Sequence, residues 1–566
     1  MGFNPKHIQW KSGKCFFWVT LLLLLSPKVT AQVDSLSNDI DQVIEDAISN
    51  SGIDEQVDFS FLTDALEDLQ KNPLNLNTAT REELLIIPGM NDLLVNNLFT
   101  HIEEFGVLTT IYELQAIAGF TQEVTSQLLP YVSVKENTAK DISPGSLHPA
   151  GPGFQEVWKG LKIELTQRAV FIAEEQKGYT SPDTTFRSQF DDNGIMTGTD
   201  TSLSSRYVGS PVQLYTRLRA RYNQNFSFGI TAEKDRGEEF RWDPSTQYFG
   251  YDYTSAHISL KDYGNLKNLV VGDYTLQFGQ GLIFSRGLGF GKGAETINSV
   301  KMPGQGIRPY SSVNENQFLR GAAVTYAIDR FYLTAFGSRV QLDASIQERD
   351  TLTEQVELVG SIQTSGLHRT RSELNNRKAI SETAIGGRLE YRTRTLRIGT
   401  SHYLQQFDSE INRPFNDYNQ FDFRGDQNFL SGIDVDWVYQ NFNFFGEMAR
   451  SKSGGIGATV GFLSSLSKTL DLAVVARSFD KDFHTTKGYA FAERPTAIQN
   501  EKGLYIGIKI KPNDKWTLSG YFDQFFFPWN KFGASYPSRG YEYLGQVEFK
   551  PRRGTTVYLR FRSDNK

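Results

Sequence analysis

The chain has 566 residues, more than one ordinary soluble domain holds, and a formal net charge of −6. Apolar side chains make up only 39% of it, while aromatic residues reach 13% and glycines number 49. Few apolar residues with many aromatics and glycines favour alternating β-strands over thick helical cores. The one cysteine, Cys15, excludes a disulfide framework and a cysteine-based metal site.

The first 31 residues are typical of a secretory signal peptide. Basic residues precede an apolar run from Phe16 to Leu25, and Val29-Thr30-Ala31 supplies small residues at a cleavage site. A membrane anchor helix is disfavoured because the apolar run is too short to span a bilayer. We therefore expect an exported chain whose mature form begins at Gln32.

Residues 32–70 are acidic and have helical periodicity, and residues 71–137 contain two capping boxes. Thr80-x-x-Glu83 and Thr110-x-x-Glu113 each predict the start of a helix. Further helices are predicted from about Asp92 to Glu104 and from about Gln122 to Leu129. Two hairpin turns, 30 residues apart, indicate an internal repeat; they are Pro88, Gly89, Met90 and Asn91, and Ala118, Gly119, Phe120 and Thr121.

The segment Leu76-Asn77-Thr78-Ala79-Thr80-Arg81-Glu82-Glu83-Leu84, followed by Pro88-Gly89-Met90, resembles the tandem helix-hairpin-helix domain of the competence protein ComEA. In that family each hairpin offers backbone N–H groups to a DNA phosphate, as a small anion-binding nest. The resemblance implies phosphate or partner contacts at both hairpin turns. This sequence departs from the family at Asn91 and Thr121, which stand where the second hairpin glycine is usual.

The charge of this region opposes DNA binding. Residues 59–134 contain ten acids and only two bases, Lys71 and Arg81. Non-specific DNA affinity comes mostly from Lys and Arg neutralising phosphates. A segment of net charge −8 lacks that contribution, so a structural module or one that docks a periplasmic protein is favoured over a DNA clamp. Gly89 and Gly119 also have a simpler role, since glycine permits a tight turn between helices.

After a predicted linker at residues 138–158, the sequence period changes from 3.6 to 2. Val212 to Tyr222 alternates apolar residues with polar ones, and residues 504–511 and 516–523 repeat the pattern. Short connections alternate with mostly long polar segments, as in outer-membrane barrels with short periplasmic turns and long external loops. The predicted fold is multidomain: a small all-α tandem helix-hairpin-helix domain followed by a large antiparallel transmembrane β-barrel over residues 159–566.

We count about 17 strands in this region, whereas single-chain bacterial barrels normally have an even number. The sequence stops at polar residues, Arg562 to Lys566, without a terminal aromatic residue. We therefore expect a truncated sequence with further strands to follow. A soluble sandwich or propeller is disfavoured, because no blade-like repeat of about 40 residues is present.

The whole arrangement is similar to a family of Bacteroidota outer-membrane proteins that fuse a helix-hairpin-helix domain to a large barrel. The segments that carry this resemblance are Ile111 to Phe120, Gly272 to Gly281 and Arg308 to Ser312. It implies an outer-membrane protein in contact with membrane lipid, with the helical domain in the periplasm. It implies little about activity.

No motif predicts catalysis, a cofactor or a metal, so we expect that the protein is not an enzyme. The glycine-rich stretch 287–293 resembles a phosphate loop only loosely, because Arg286 and Gly293 stand where a Walker motif needs Gly and Ser or Thr. We expect a flexible external loop there. The histidines of the mature chain are scattered, and neither His257 nor His402 has a partner at metal-ligand spacing.

Several arginines fall on predicted inward faces of strands, where charges tune what passes through a barrel. These possible lumen charges are Arg217, Arg219, Arg221, Arg388, Arg392 and Arg397. A salt-bridged wall, with Glu390 among the partners, is favoured over an anion-selective pore. The predicted function is transport or assembly with a docked periplasmic partner; a ComEA-like DNA-uptake component and a barrel enzyme acting on lipid or glycan are the alternatives.

Overall fold

The structure is a computed structural model. It describes residues 60–135, 153–190, 196–246, 248–285, 291–316, 318–350, 355–552 and 555–565. The predicted signal peptide, most of the acidic segment 32–70 and most of the predicted linker lie outside these residues. The described chain has two parts, a helical unit over residues 60–135, which we call the cap domain, and a large β-barrel.

The cap domain consists of short helices around one apolar core. Its elements are α1 (Ser60–Lys71), α2 (Arg81–Leu84), α3 (Asp92–Phe105), a 3-10 helix (Ile111–Ala116) and α4 (Gln122–Leu128). The core is built from side chains that recur at helical spacing, including Leu66, Leu84, Leu98 and Leu114, each 1% exposed or less. A two-residue parallel pairing of Leu74–Asn75 with Val132–Ser133 joins the two ends of the domain.

The capping boxes and glycine turns of the cap domain follow the sequence prediction. The Thr80 N–H donates to Glu83 Oε2 at 2.9 Å, and the Thr110 N–H donates to Glu113 Oε1 at 3.0 Å. Gly89 and Gly119 have φ values of +86° and +89°. A Cβ at Gly119 would also lie 2.6 Å from Leu94 Cδ2, so both conformation and space require glycine there.

Among the described residues, the barrel wall consists of seventeen strands of nine to sixteen residues, against about 17 expected. They are β1 (Lys162–Val170), β2 (Gln213–Tyr222), β3 (Phe226–Lys234), β4 (Tyr253–Tyr263), β5 (Leu266–Gln277), β6 (Leu319–Ile328), β7 (Phe331–Leu342), β8 (Ile380–Arg392), β9 (Leu396–Ile411), β10 (Gly425–Tyr439), β11 (Phe442–Ser451), β12 (Ile456–Ser467), β13 (Leu470–Phe479), β14 (Glu501–Asn513), β15 (Trp516–Phe527), β16 (Ser538–Arg552) and β17 (Thr555–Asn565).

Each wall strand pairs in an antiparallel register with the next one along the chain, which confirms the predicted antiparallel barrel. The strand order brings β17 beside β1. Most residues of these two strands are exposed on both faces, so this junction is the least packed part of the wall.

The alternation of side chains gives the wall one apolar face and one polar face. On β8, Ile385 and Leu389 point outward and are 52% and 47% exposed, while Arg388 and Glu390 point inward and are buried. Because successive residues of a strand face opposite sides, the same rule produces an apolar outer band all along the wall. Among the described helices, none has both the length and the apolar character that a membrane span requires.

The connections divide the barrel into two different ends. One end, which we call the short-turn end, has connections of two or three residues at 223–225, 264–265, 329–330, 393–395, 440–441, 468–469 and 514–515. The other, the long-loop end, has long connections at 171–212, 235–252, 278–318, 343–379, 412–424, 480–500 and 528–537, and one four-residue turn at 452–455. This confirms the predicted alternation of short turns and long loops.

Shorter helices and strands lie outside the wall strands. The last residues of the predicted linker form the start of a short helix, α5 (Phe154–Gly160), which precedes β1. The long loops carry the hairpins Thr184–Phe190 with Met196–Leu203, Arg241–Asp243 with Tyr248–Gly250, and Ala344–Arg349 with Val356–Ile362, together with the strand Gly306–Pro309 and α6 (Arg371–Asn376).

Candidate functional site

The cap domain lies against the short-turn end of the barrel, and four charged side chains meet where the two parts touch. Arg81 and Asp92 come from the cap, Asp436 from β10, and Lys301 from the connection between β5 and β6. Arg81 Nη2 lies 2.6 Å from Asp436 Oδ2, and Lys301 Nζ lies 2.8 Å from the same oxygen. Arg81 and Lys301 also both contact Asp92, so we call this neutral group of two cations and two anions the charge latch.

The side chains of the charge latch are between 6% and 18% exposed. Asn443 of β11 completes it, because its Nδ2 donates to Asp436 Oδ1 at 2.6 Å and its Oδ1 accepts from Lys301 Nζ at 2.8 Å. Charges with so little water around them are stable only while every partner stays in place. The latch therefore makes docking of the cap depend on three separate stretches of chain.

A second ionic contact lies beside the latch at Glu82. Its Oε1 is 2.8 Å from Arg397 Nη2 and 3.1 Å from Arg392 Nη1, the two arginines that flank the 393–395 turn. Burial by itself would raise the pKa of Glu82, but Arg397 and Arg392 more than offset burial and lower this pKa to about 2. Glu82 is therefore anionic in the docked cap at any physiological pH.

Other pairs at the rim are more exposed. Asp68 Oδ1 lies 2.7 Å from Arg221 Nη1, and Lys71 Nζ lies 3.0 Å from Glu164 Oε1. Glu103 pairs with Arg394, and both side chains are at least 40% exposed. Asp68, Glu82, Asp92 and Glu103 thus each meet a cation of the barrel. The acidity of the cap complements a basic rim of its own chain.

The six predicted lumen arginines all belong to the barrel wall, but their surroundings differ. Arg388 lies deep in the wall, with its Nε 3.0 Å from Glu390 Oε2 and its Nη2 2.9 Å from Asp434 Oδ1. Arg392 also pairs with Glu390, at 2.6 Å. Among the six, Arg221, Arg392 and Arg397 reach the cap domain, Arg219 is buried, and Arg217 stacks over Tyr215. Arg388 and Arg392 have the geometry of a salt-bridged wall.

The two predicted hairpin turns face different surroundings. In the first turn (Pro88, Gly89, Met90, Asn91), Asn91 Nδ2 donates to Asn298 Oδ1 at 3.3 Å, so this turn meets the barrel interior. In the second turn, Ala118, Gly119 and Thr121 are exposed, while Phe120 is buried in the cap core. The Phe120 and Thr121 N–H groups donate to Ile117 O and Gly119 O within the turn. These two N–H groups are therefore already engaged by the turn itself.

The connection between β5 and β6, residues 278–318, enters the barrel; we call it the luminal loop. The Gln280 and Leu282 N–H groups donate to Glu447 Oε2 at 2.6 and 3.0 Å. Farther along, Thr296 Oγ1 donates to Ile508 O at 2.9 Å. Asn298 and Lys301 then reach the cap domain, so the luminal loop runs from the wall to the short-turn end.

Apolar side chains of the luminal loop pack against the wall inside the lumen. Phe284 is 2% exposed, and its ring centroid lies 5.0 Å from Tyr403 and 5.2 Å from Phe336, both on inward faces of the wall. The expectation of a flexible external loop around residues 287–293 was therefore wrong for its described part: Lys292 is buried, 2.5 Å from both Glu493 Oε2 and Asp523 Oδ2. A barrel of about this strand number has room for an aqueous channel, and the luminal loop occupies part of that space.

A second connection, residues 480–500 between β13 and β14, also folds inward. The Tyr489 N–H donates to Gly281 O at 2.9 Å, and the Ser285 N–H donates to Lys487 O at 3.1 Å. Phe483 and Phe491, 1% and 5% exposed, add to the packing of the interior. The two inserted loops are thus hydrogen-bonded to each other across the lumen.

The long-loop end contains a cluster that the sequence reasoning missed. His368 lies between two carboxylates, with Nδ1 against Asp252 Oδ2 and Nε2 2.7 Å from Asp343 Oδ2. Its backbone N–H donates to Glu238 Oε1 at 2.9 Å, and Glu315 lies on the Asp343 side. These residues are scattered from 238 to 368, so no local spacing reveals them.

Burial dominates the electrostatics of this cluster. It raises the pKa of Glu238 to about 7, with Asp252 adding to the rise, and it raises the pKa of Glu315 well above its usual value. Burial by itself would lower the pKa of His368, but hydrogen bonds to Asp252 and Asp343 raise this pKa to about 10. The hydrogen bonds to Asp252 and Asp343 therefore favour the protonated imidazole.

The other two histidines on strands have ordinary surroundings. His257 is buried, with Nδ1 3.1 Å from Tyr310 O. His402 lies on the outer face of β9, where its ring stacks on Phe429. Neither belongs to the groups of three or more potential metal ligands found among the described residues.

No family model matches the chain. No curated protein is similar to it either. Among solved structures, it is similar to OpdQ of Pseudomonas aeruginosa, with 12% identity over 72% of this chain and 92% of that one and a TM-score of 0.33. An anion-selective porin from Comamonas acidovorans has 12% identity over 71% of this chain and 100% of that one, with a TM-score of 0.29. Wzi, a carbohydrate-binding outer-membrane barrel involved in group 1 capsule assembly in Escherichia coli, has 11% identity over 72% of this chain and 81% of that one, with a TM-score of 0.32. Likeness at these values does not extend to function.

Proposed function

We propose that this protein is a non-enzymatic outer-membrane transport barrel whose lumen is closed at rest by its own cap domain and luminal loop. The observation that carries the proposal is the charge latch, which joins cap, wall and luminal loop through Arg81, Asp92, Lys301 and Asp436. A cap that served only as a structural appendage would have no need to hold a loop that fills the lumen.

The two faces of the wall and the two ends of the barrel support the proposed location. An apolar outer band suits lipid, and an exported chain of this kind crosses a membrane as a barrel because every backbone group is then paired. Short turns belong to the periplasmic end of such barrels. The cap domain, docked at the short-turn end, is then a periplasmic domain.

Opening requires a signal that releases the cap, and we propose a periplasmic protein as that signal. The cap exposes Phe105, Val107 and Tyr112, which are 75%, 47% and 72% exposed. Glu104 lies beside them, and it is also exposed. Apolar side chains next to acids fit a partner with aromatic or aliphatic anchors and basic residues around them.

The DNA alternative has less support. The first hairpin turn faces Asn298 of the luminal loop, so DNA would have to displace the cap to reach it. The second turn is exposed, but the cap carries too few cations to neutralise phosphates. Binding of labelled duplex DNA by the full chain at physiological salt would support this alternative over a protein partner.

The test of the proposal is ion current across planar bilayers, measured for the full chain and for Arg81→Glu. We expect almost no current from the unaltered protein and discrete openings from Arg81→Glu, because the substitution leaves Lys301 facing three anions. Spin labels on cysteines placed at Gln115 and Asp514 report the cap-to-barrel distance in the same samples. Both positions are exposed, and the predicted mature chain has no other cysteine.

Arg394→Glu is the matched control, since it reverses a charge of the same rim in an exposed pair with Glu103. We expect it to keep both the short distance and the low current, because exposed ion pairs contribute little. A released cap with no current in Arg81→Glu would contradict the proposed closure.

A further inference from the structure

We propose that Glu238, Asp252 and His368 form a binding site for one divalent transition-metal ion, of the class of Zn²⁺ or Mn²⁺, beneath the long loops. One potential ligand atom from each residue lies within 4.8 Å of the others. All three residues are at least 93% buried. No local motif predicts this site, because His368 lies more than a hundred positions from both Glu238 and Asp252.

The donor set selects the kind of metal. One imidazole nitrogen with two carboxylate oxygens suits zinc or manganese, whereas magnesium and calcium prefer oxygen alone. Ligand distances of about 2.0–2.2 Å place the ligand atoms of a tetrahedral ion roughly 3.4 Å apart. The ligand atoms of Glu238, Asp252 and His368 lie within 4.8 Å of one another, which is close to that spacing.

Asp343 gives the histidine the orientation that metal binding needs. A metal-ligating histidine usually donates its other ring N–H to a carboxylate, which fixes the tautomer and the ring. Here Asp343 Oδ2 lies 2.7 Å from Nε2, which leaves Nδ1 directed at Asp252. The carboxylate of Asp343 is itself held, because its Oδ1 accepts from the Lys378 N–H at 2.7 Å.

A separate observation points to a missing ligand. Asp252 Oδ1 is buried and accepts no hydrogen bond among the described residues. Its nearest cation is Arg377, whose Nε lies 3.2 Å away without the geometry of a hydrogen bond. Asp252 Oδ1, on a side chain that is 1% exposed, thus has an ion pair but no hydrogen bond, and a metal ion would give it a direct bond.

The metal would join two long loops to the wall. Glu238 belongs to the 235–252 connection, Asp252 directly precedes β4, and His368 belongs to the 343–379 connection. Binding to the folded barrel alone raises its stability by mass action. We therefore expect metal to stabilise the long-loop end without any effect on the charge latch.

The experiment uses the full chain in detergent, stripped with a chelator and then incubated with Zn²⁺ or Mn²⁺. Elemental analysis after gel filtration gives the stoichiometry, and thermal unfolding gives the stability. We expect about one ion per chain and a higher unfolding temperature. We expect Asp252→Asn and His368→Gln to lose the ion and the stabilisation, and His402→Gln, on the outer face, to keep both.

If His368→Gln does not fold, Glu238→Gln is tested in its place. It removes one ligand and leaves the histidine and its two hydrogen bonds in place. Absence of bound metal in the unaltered chain, with a stability that depends on pH alone, would overturn the proposal in favour of a protonated histidine between two carboxylates. Equal metal content in the unaltered chain, Asp252→Asn and Glu238→Gln would overturn it as well.

Discussion

The barrel is closed in two different ways, by ion pairs at the short-turn end and by apolar packing within the lumen. The cap domain is held by ion pairs of Arg81, Asp92 and Glu82 with the barrel, and these side chains are no more than 23% exposed. The luminal loop is held by side chains such as Phe284, which water does not reach. Ion pairs at a rim respond to pH, salt and competing charges, whereas a packed core does not. This difference indicates that the cap domain, rather than the luminal loop, is the part released on opening.

The largest expected effect comes from breaking the packed closure. Phe284→Ala removes a ring that packs on Tyr403 and Phe336, which costs about 3–5 kcal/mol of stability because a cavity remains. Thermal unfolding in detergent measures the loss. Phe561→Ala, on an exposed outer position of β17, is the control and should change stability much less. Equal losses would mean that the luminal loop contributes no core.

A smaller effect is expected from the charge latch. Asp436→Asn leaves Arg81 and Lys301 with a single anion, and loss of one partner from a buried charge pair costs about 3 kcal/mol. The loss should appear as a longer distance between spin labels on the cap and the barrel, with little change in the unfolding of the wall. An unchanged distance would show that apolar contacts hold the cap.

The pH dependence of cap docking tests the same comparison between ionic and apolar closure. Glu82 has a pKa of about 2 in the docked cap and a usual value of 4.5. Because docking lowers this pKa, the contribution of Glu82 to the stability of docking is complete above about pH 4.5. This contribution is lost as the pH falls toward 2. The spin-label distance should lengthen over that range, and Glu82→Gln should remove this part of the change. A distance that stays constant from pH 6 to pH 2 would contradict it.

The smallest effect is expected at the exposed rim. Arg394→Ala removes the ion pair with Glu103. Because both side chains are at least 40% exposed, docking should weaken by less than about 1 kcal/mol. Added salt should act on this pair before it acts on the latch. A loss as large as that of Asp436→Asn would mean that burial does not set the strength of these pairs.

Local sequence patterns predicted the helices and strands but not the contacts between those that are distant in the chain. Alternation on β8 revealed which residues face outward, and Thr80 with Glu83 revealed a helix start, because both depend on neighbours in the chain. The contact of Arg81 with Asp436 spans 355 positions and follows only from closure of the barrel. From the sequence, the acidity of the cap domain indicated a separate protein partner. The rim of the barrel in the same chain also supplies cations for these acids, and no local pattern predicts this contact.

The histidine cluster was missed for a related reason, yet one signal was present. Asp252 directly precedes β4, and Asp343 directly follows β7, so both lie at strand ends next to long loops. Strand ends on the same side of a barrel share one rim, which makes acids there candidates for a common site. His368 could not be added to them from the sequence, since it lies within a long connection whose path no pattern predicts.

The most direct test of closure by the cap is a reducible cross-link between the cap and the luminal loop. Cysteines at Asn91 and Asn298, whose side chains lie 3.3 Å apart, are joined by a short disulfide-containing linker in the Arg81→Glu variant. We expect the cross-linked barrel to carry almost no current and the reduced barrel to show discrete openings. Equal currents before and after reduction would show that movement of the cap does not control the lumen.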